Sequence, residues 1–335
     1  MNKHRMNQEL SSFAERLRET IHGRDAALRR PDSAARRPYQ ESDFNSLALE
    51  LFALQFENNT AYRTICEARG LTPKVVEHWT QAPAVPTSAF KEAELSSIPP
   101  EKRTAVFHSS GTTGQKPSRH FHNAESLAVY EASLWTWFGQ NIFLNNELRI
   151  ANCELLALTP PPAQVPHSSL VHMFEIVRQK LGAPNPAFVG RIEADAAWTL
   201  NFNAALSAAD SSKPKTKKSK LILGTAFSFV HLLDCLVERD LRVELPAGSR
   251  VMETGGYKNR SHAMPKAELH ALIADRLGVP PENIICEYGM SELSSQAYDG
   301  QVRSAKCEVS NFHRGRARRS FHRKPDAKSP MARPA

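Results

Sequence analysis

The residues best suited to chemistry in this chain form one short run of small side chains. Residues 109–114 read Ser-Ser-Gly-Thr-Thr-Gly, after a β-like run at 104–108 and before a helical pattern that starts near Asn123. Its two glycines can adopt positive φ, and such a loop leaves backbone N–H groups and hydroxyls free to point inward. The run therefore predicts a cradle for an anion, and a polyphosphate fits it best. A flexible Ser/Gly turn is the alternative interpretation.

Two common nucleotide-binding patterns do not describe this loop. Gly111 and Gly114 stand only three positions apart, and Gln115 separates Gly114 from Lys116, which excludes the Walker A pattern. The chain contains no G-x-G-x-x-G sequence, so a Rossmann dinucleotide site is not expected.

Two further motifs follow later in the chain. Residues 253–258 read Glu-Thr-Gly-Gly-Tyr-Lys at the end of a predicted strand, and residues 287–292 read Glu-Tyr-Gly-Met-Ser-Glu. Together with the loop they resemble the adenylate-forming superfamily, which includes acyl-CoA synthetases and firefly luciferase. That superfamily carries a Ser/Thr/Gly-rich phosphate loop and a later Tyr-Gly-x-Thr/Ser-Glu motif. One such match alone is weak, but three in this order make the resemblance specific.

The resemblance implies a role for each matching residue. In the superfamily the loop grips the β- and γ-phosphates of ATP, the aromatic ring packs on adenine, the hydroxyl meets the phosphates and the glutamate holds Mg²⁺. A flat apolar ring, a small donor and a hard oxygen ligand suit these tasks. The ATP-binding residues implied are Ser109, Ser110, Gly111, Thr112, Thr113, Gly114, Gly255, Gly256, Tyr288, Gly289 and Ser291, and the implied Mg²⁺ ligand is Glu292.

Within the superfamily, the chain is most similar to the acyl-protein synthetase (LuxE-type) family. The similarity spans roughly residues 80–300 and rests on Val-Pro-Thr-Ser-Ala-Phe-Lys at 85–91, Pro-Ser-Arg at 117–119, the run 224–234 and Ser-Ser-Gln-Ala-Tyr-Asp at 294–299. It implies ATP-dependent activation of a carboxylic acid, in that family a long-chain fatty acid, to an acyl-adenylate with release of pyrophosphate. It also implies acyl transfer to a protein cysteine, with an acyl reductase or acyl-carrier protein as partner. An acyl- or aryl-CoA ligase is the alternative activity.

The implied reaction needs no general base, because the attacking carboxylate is already an anion. Catalysis should then rest on positioning and on charge stabilisation. Lys116 and Arg119, directly behind the loop, are candidates for phosphate contact, and His231 is a candidate for contact with the substrate carboxylate. The alternatives are two solvated cations and a histidine with a structural role at a helix start.

Composition and charge narrow the function class. The chain has 335 residues, 41% of them hydrophobic, and five widely spaced cysteines without a C-x-x-C pair, which is typical of a reducing cytoplasm. A secretory signal is not expected, because the N-terminal residues contain no apolar h-region. A membrane span is not expected, because the longest apolar stretch, 221–237, contains Gly224, His231 and Asp234. Residues 301–335 hold ten Lys/Arg and two Asp/Glu, so the net charge of +8 lies entirely there. Nucleic-acid binding is therefore not expected for the folded core.

The elements that must position the motifs alternate between strands and helices after residue 104. The predicted strands are 104–108, 148–158, 221–223, 250–254 and 283–286, and the predicted helices are a segment after Asn123, 170–181, 194–209, 227–238 and 266–277. This alternation predicts an α/β fold with a largely parallel sheet, in which ligands bind at the carboxyl ends of the strands. Because all three Gly-containing motifs follow predicted strands, we expect them to converge at that edge.

Three regions are predicted along the chain. Residues 1–79 form a helical N-terminal region, with helices at 9–30 and after an N-cap at Asp43; residues 80–300 form the adenylate-forming α/β core; residues 301–335 form a basic, disordered tail. The resemblance implies that the core is the large N-terminal domain of an adenylate-forming enzyme, with layered, parallel-rich sheets and helices.

The sequence after Gly300 departs from the superfamily pattern. Neither a ribose-binding Asp nor a small C-terminal lobe with a catalytic Lys is recognisable there, and the surroundings of Cys307 match no acceptor cysteine. The departure raises three hypotheses: a tail from a shifted or truncated reading frame, a remnant that binds ATP or an acyl ligand without turnover, and an interaction protein that acts through its basic tail.

Overall fold

A mixed α/β fold holds the motif-bearing strands side by side. Residues 3–28, 41–109, 117–143, 153–184, 187–194, 197–209, 218–257 and 261–299 are described by the computed structural model of the chain. The helices are α1 (Lys3–Leu28), α2 (Glu41–Asn58), α3 (Thr60–Ala68), α4 (Ala89–Glu92), α5 (Ala124–Ile142), α6 (Ser169–Lys180), α7 (Phe202–Ala209), α8 (Ala226–Glu238) and α9 (Lys266–Leu277). The strands are β1 (Ala105–His108), β2 (Arg119–His122), β3 (Glu154–Ala157), β4 (Gly190–Ile192), β5 (Trp198–Leu200), β6 (Lys220–Thr225), β7 (Arg250–Thr254), β8 (Ile284–Met290) and β9 (Ser295–Tyr298).

The main sheet has the strand order β3-β6-β7-β8-β9. Its first four strands run parallel to one another, and β9 pairs antiparallel with β8. Two smaller antiparallel pairs, β1 with β2 and β4 with β5, lie outside this sheet. The predicted parallel-rich α/β class is therefore confirmed.

Alternating side chains of the central strands fill a core on each face of the sheet. Ile222, Val251 and Ile284 pack on the face covered by α7, α8 and α9. Leu221, Met252 and Ile285 point the other way and pack on the face covered by α5 and α6. Burial on both faces explains why these strands are almost continuously apolar.

Side-chain caps fix where the helices around the sheet edge begin. The Asn123 side chain accepts a hydrogen bond from the Ser126 amide at 2.8 Å, and Ser126 Oγ accepts one from the Asn123 amide at 3.1 Å, which forms a capping box on α5. Ser168 before α6 and Thr225 before α8 each accept one hydrogen bond from the amide three residues ahead, as simple N-caps. Since Thr225 is also the last residue of β6, the strand-to-helix turn leaves little freedom at that edge.

The N-terminal helices join this body at α5. Ser11 of α1 donates a hydrogen bond to Glu125 of α5 at 2.8 Å. Helices α2 and α3 share a small core with Phe52, Tyr62 and Cys66. Among the helices that the structure describes, none combines the length and the apolar character that a membrane span requires.

Several predicted element bounds are wrong. The predicted helix at 194–209 divides into strand β5 and helix α7, because Trp198–Leu200 pairs with β4 and Asn201 then accepts a hydrogen bond from the Ala204 amide at 3.1 Å. Helix α2 begins at Glu41, so Asp43 is not its N-cap. In the described part of the predicted strand 148–158, the strand covers Glu154–Ala157. Strand β8 continues to Met290, well beyond the predicted end at Cys286, because β9 pairs with its second half.

Gly190 of β4 is expected to tolerate no side chain. A Cβ atom there would lie 2.4 Å from the carbonyl carbon of Thr159 and 2.5 Å from the Pro160 nitrogen. We expect Gly190→Ala to lower the free energy of unfolding by about 1–3 kcal/mol, as forced overpacking against backbone does. Urea denaturation measures this change.

Gly139→Ala in α5 is the matched control for that substitution. The nearest atom to its added Cβ would be a Phe143 side-chain carbon at 3.9 Å, which is an ordinary contact. Because alanine favours a helix interior over glycine, this variant should gain up to about 1 kcal/mol. Equal effects of the two substitutions would contradict the packing described for β4.

Candidate functional site

A β-hairpin presents the flanks of the predicted phosphate loop. Strands β1 and β2 pair with His108 opposite Arg119, so residues 109–118 connect them. Of the loop residues, Ser109 is described by the structure, whereas Ser110, Gly111, Thr112, Thr113, Gly114 and Lys116 lie outside the described residues. The prediction that placed β1 in the parallel sheet is wrong, because its hydrogen-bonded neighbour is β2. The phosphate-binding role of the loop stays a prediction.

Ser118 connects the base of this loop to the last motif. Its fully buried hydroxyl oxygen lies 2.6 Å from Ser109 Oγ, 2.8 Å from His120 Nε2 and 3.0 Å from Glu292 Oε1. The Ser118 amide also donates to Ser109 Oγ at 3.1 Å. Residues separated by 174 positions are thereby joined through one oxygen.

The direction of these hydrogen bonds follows from their chemistry. An ionised carboxylate only accepts, so the single proton of the Ser118 hydroxyl is best directed to Glu292. The Ser118 hydroxyl also lies in donor geometry toward Ser109 Oγ, and Ser118 Oγ accepts from His120 Nε2–H. Burial lowers the pKa of His120, which favours a neutral imidazole that can keep this proton on Nε2.

A cavity of about 810 Å³ lies at the carboxyl ends of β6, β7 and β8. Thr225, Thr254 and Met290 line it from these three strands, and Phe107 and His108 line it from the end of β1. The second and third Gly-containing motifs thus meet at this sheet edge, as expected, whereas residues 110–114 of the first lie outside the described residues and its convergence stays a prediction.

The segment before α6 closes another side of the cavity. His108 and His167 stack with ring centroids 4.6 Å apart, and the His108 amide donates to the His167 carbonyl at 2.9 Å. Ser169, the first residue of α6, places its Oγ 2.9 Å from Ser291 Oγ. This segment therefore links the hairpin to the last motif along a second path.

Some of the predicted residues of the two later motifs line the cavity, and Tyr288 points away from it. Gly255, Gly289 and Ser291 line the cavity. Gly256 has a φ of 106°, a conformation that favours glycine. Tyr288 points to the opposite face of β8 from its neighbour Glu287, and its ring is 65% exposed.

Two of the predicted catalytic residues stand away from the cavity lining. Arg119 is exposed and lies over the Phe121 ring, with its guanidinium carbon 5.5 Å from the ring centroid. His231 lies one turn beyond Phe227 on α8, with the two ring centroids 6.3 Å apart, and Phe227 rather than His231 lines the cavity. Direct contact of either residue with a substrate stays a prediction.

Glu287 is a residue that the sequence interpretation missed. It lines the cavity with only 2% of its surface exposed, and its Oε2 has no hydrogen-bond partner among the described residues. Burial raises its pKa to about 7, and Glu253 adds to the rise while the Thr254 hydroxyl opposes it. A Cβ atom on Gly289 would lie 2.7 Å from Glu287 Oε1, so the glycine leaves the room that this carboxyl group occupies. The available signal was an acidic residue directly after the apolar run Ile-Ile-Cys.

The sequence of residues 33–299 matches the family described as acyl-protein synthetase, LuxE. The chain belongs to the LuxE family. No curated protein matches this LuxE-family chain. A similar solved structure is a 2-hydroxyisobutyryl-CoA ligase in an open conformation, in complex with 2-HIB-AMP and CoA, with a TM-score of 0.51 and 13% sequence identity. The match covers 76% of this chain and 56% of the ligase chain, so the LuxE-family chain shares the fold over about half of that ligase.

The raised pKa of Glu287 predicts a pH-dependent stability. The folded protein binds this proton with a pKa of about 7, against an ordinary value of 4.5, so between these values it holds the proton more tightly than the unfolded chain does. Glu287 therefore contributes fully to the free energy of unfolding below pH 4.5, and this contribution is lost as the pH rises through about 7. Glu287→Gln should remove this dependence.

Urea midpoints of both proteins at about pH 5 and about pH 8 measure the effect. The variant should gain stability relative to the unsubstituted protein as the pH rises, whatever other groups titrate, because those groups are common to both. A difference that stays constant between the two pH values would contradict the assignment.

Proposed function

We propose that this protein activates a carboxylic acid with ATP, forms an acyl-adenylate with release of pyrophosphate, and passes the acyl group to a protein thiol. One observation carries the proposal: the Ser118 hydroxyl joins the base of the phosphate loop to Glu292 beside a cavity at the carboxyl ends of the strands. Membership of the acyl-protein synthetase family supports the same reaction class.

ATP is proposed to lie along the edge of the sheet with its triphosphate at the hairpin. Residues 109–114 and Lys116 would surround the phosphates, and the exposed ring of Tyr288 would offer a flat face to adenine. By strand register Thr254 lies opposite Glu287, so Gly255 comes next to Tyr288. A Cβ atom on Gly255 would meet no atom within 4 Å, which leaves open space for the nucleotide.

The residues present fit a magnesium ion at Glu292. Mg²⁺ is commonly held by one or two carboxylates together with substrate phosphates. Ser118 orients Oε1 of Glu292 by a hydrogen bond, and the side chain is mostly buried against His120. No cluster of three or more His, Cys, Asp or Glu side chains that could hold a metal occurs in the described part of the chain. When bound, the ion would neutralise charge on the phosphates.

The acid is proposed to enter the cavity and to present its carboxylate to the α-phosphate. A carboxylate oxygen then forms a bond to phosphorus while the bond between the α-phosphorus and the bridging oxygen breaks, and pyrophosphate leaves. Phe107, Met173 and Phe227 give the cavity an apolar wall that suits an acyl chain, including the fatty acid implied by the family resemblance. The protein contributes alignment and exclusion of water, because the nucleophile needs no deprotonation.

The acyl acceptor is proposed to be a thiol other than Cys153 or Cys286. Burial raises the pKa of each of these thiols to about 12, so both remain protonated near neutral pH and are poor nucleophiles. A cysteine of a partner, such as an acyl reductase or carrier protein, is the acceptor that the family resemblance suggests.

Glu292→Gln tests the proposed adenylation step. Exchange of labelled pyrophosphate into ATP, driven by a panel of fatty and aryl acids, measures formation of the acyl-adenylate. We expect exchange in the unsubstituted protein and a loss of about 100-fold in Glu292→Gln, because the amide cannot offer the same charged ligand to the metal that neutralises the phosphates.

Glu282→Gln is the control for this experiment. Glu282 is an exposed carboxylate on the 3₁₀ turn before β8 and should tolerate the same chemical change without loss of exchange. ATP binding without exchange for any acid would instead identify a protein that binds nucleotide without turnover. Equal exchange rates in Glu292→Gln and Glu282→Gln would contradict the assignment of Glu292.

Ser118→Ala tests the positioning of Glu292 separately from its charge. Removal of the hydroxyl leaves the carboxylate unoriented, so the Mg²⁺ concentration for half-maximal exchange should rise about tenfold, as is common for residues that orient metal ligands. Ser133→Ala, on the exposed side of α5, should leave that concentration unchanged. A Ser118→Ala variant that lost exchange without any shift in its Mg²⁺ dependence would point to a merely structural role.

A further inference from the structure

The lining of the cavity mixes polar and apolar side chains. Glu287, Gln296 and Tyr130 belong to its polar part, and its apolar part comprises Phe107, Leu170, Met173, Trp198 and Phe227. A plain aliphatic acid would bury its chain against the apolar part and would leave the polar side chains without a partner.

Strand pairing and helix α5 bring these polar groups together. Glu287 and Tyr298 are direct partners across β8 and β9, and Gln296 lies two residues before Tyr298 on the same face of β9. The Gln296 side-chain amide donates to the Tyr130 hydroxyl of α5 at 3.3 Å. We call Glu287, Tyr298, Gln296 and Tyr130 the polar cluster.

The hydrogen bonds of the polar cluster are incomplete. Glu287 Oε2 and the Tyr298 hydroxyl are both buried, and neither has a hydrogen-bond partner among the described residues. The Tyr130 hydroxyl accepts from Gln296 and keeps a proton to donate. A buried carboxyl oxygen without a partner is costly, so a site that keeps one is suited to a ligand that completes it.

We infer that the substrate acid carries a hydroxyl group, which the polar cluster binds. This inference rests on the proposed function and specifies its substrate class. A hydroxyl group donates its proton to Glu287 Oε2, and its oxygen accepts from a tyrosine hydroxyl, so it satisfies an acceptor and a donor at once. An ammonium group only donates and would leave the tyrosine protons without an acceptor.

Matched acids test the inference on the unsubstituted full-length protein. Pyrophosphate exchange is compared for acids of equal chain length that are unsubstituted, hydroxylated or aminated, with the substituent moved stepwise along the chain. A site built to bind a hydroxyl should favour one hydroxylated acid over its unsubstituted counterpart by about tenfold or more in kcat/KM.

Substitutions in the polar cluster give an independent second measurement. Glu287→Gln keeps the shape of the side chain, Tyr130→Phe removes the hydroxyl of the tyrosine that lines the cavity, and each should reduce the preference for the hydroxylated acid about tenfold, mainly through KM. Glu282→Gln is the matched control, since it makes the same chemical change at an exposed carboxylate on the 3₁₀ turn before β8. The preference should be unchanged in that control.

The outcomes separate this inference from the proposed function. If none of the acids supports pyrophosphate exchange, the proposed function is contradicted. Exchange that is equal for hydroxylated and unsubstituted acids, or that favours the aminated acids, would leave the proposed function standing and would overturn the hydroxyl assignment. A preference that survives both Glu287→Gln and Tyr130→Phe would also overturn it.

Discussion

The buried hydroxyl of Ser118 links the parts of the chain on which the site depends. It lies within hydrogen-bond distance of Ser109, His120 and Glu292, and no water reaches it to substitute for a lost partner. In a buried network of this kind the orientation of each member depends on the others. The hairpin that carries the predicted phosphate loop and the motif that carries the proposed metal ligand are therefore joined by hydrogen bonds through Ser118.

The register of β8 determines which side chains of the last motif point to each face of the sheet. Successive residues of a strand point to opposite faces, so Glu287 lies in the cavity while Tyr288 stands exposed on the other side. A slip of one residue would exchange them. The antiparallel pairing of β9 with the second half of β8 fixes this register and brings Tyr298 beside Glu287. One strand pairing thus supports both the nucleotide site and the acid site that we propose.

The fold class and the meeting of the two later motifs could be predicted from the sequence, because apolar strands, helix caps and glycine turns are local signals. Asn123 caps α5 where the pattern placed a helix start. The pairing of β1 with β2, the extension of β8 and the strand at Trp198–Leu200 depend on distant partners and were not predicted. The place of Glu287 in the cavity was not predicted for the same reason, since its neighbours Tyr130 and Tyr298 come from other elements.

The central claim is that loop, Ser118 and Glu292 form a single site for metal and triphosphate. A crystal structure of the full chain with ATP and Mn²⁺, which replaces Mg²⁺ and scatters anomalously, tests it most directly. We predict an anomalous peak beside the Glu292 carboxylate, with the triphosphate between it and the loop and with adenine against Tyr288. A metal peak away from Glu292, or a nucleotide bound outside the edge formed by β6, β7 and β8, would contradict the account.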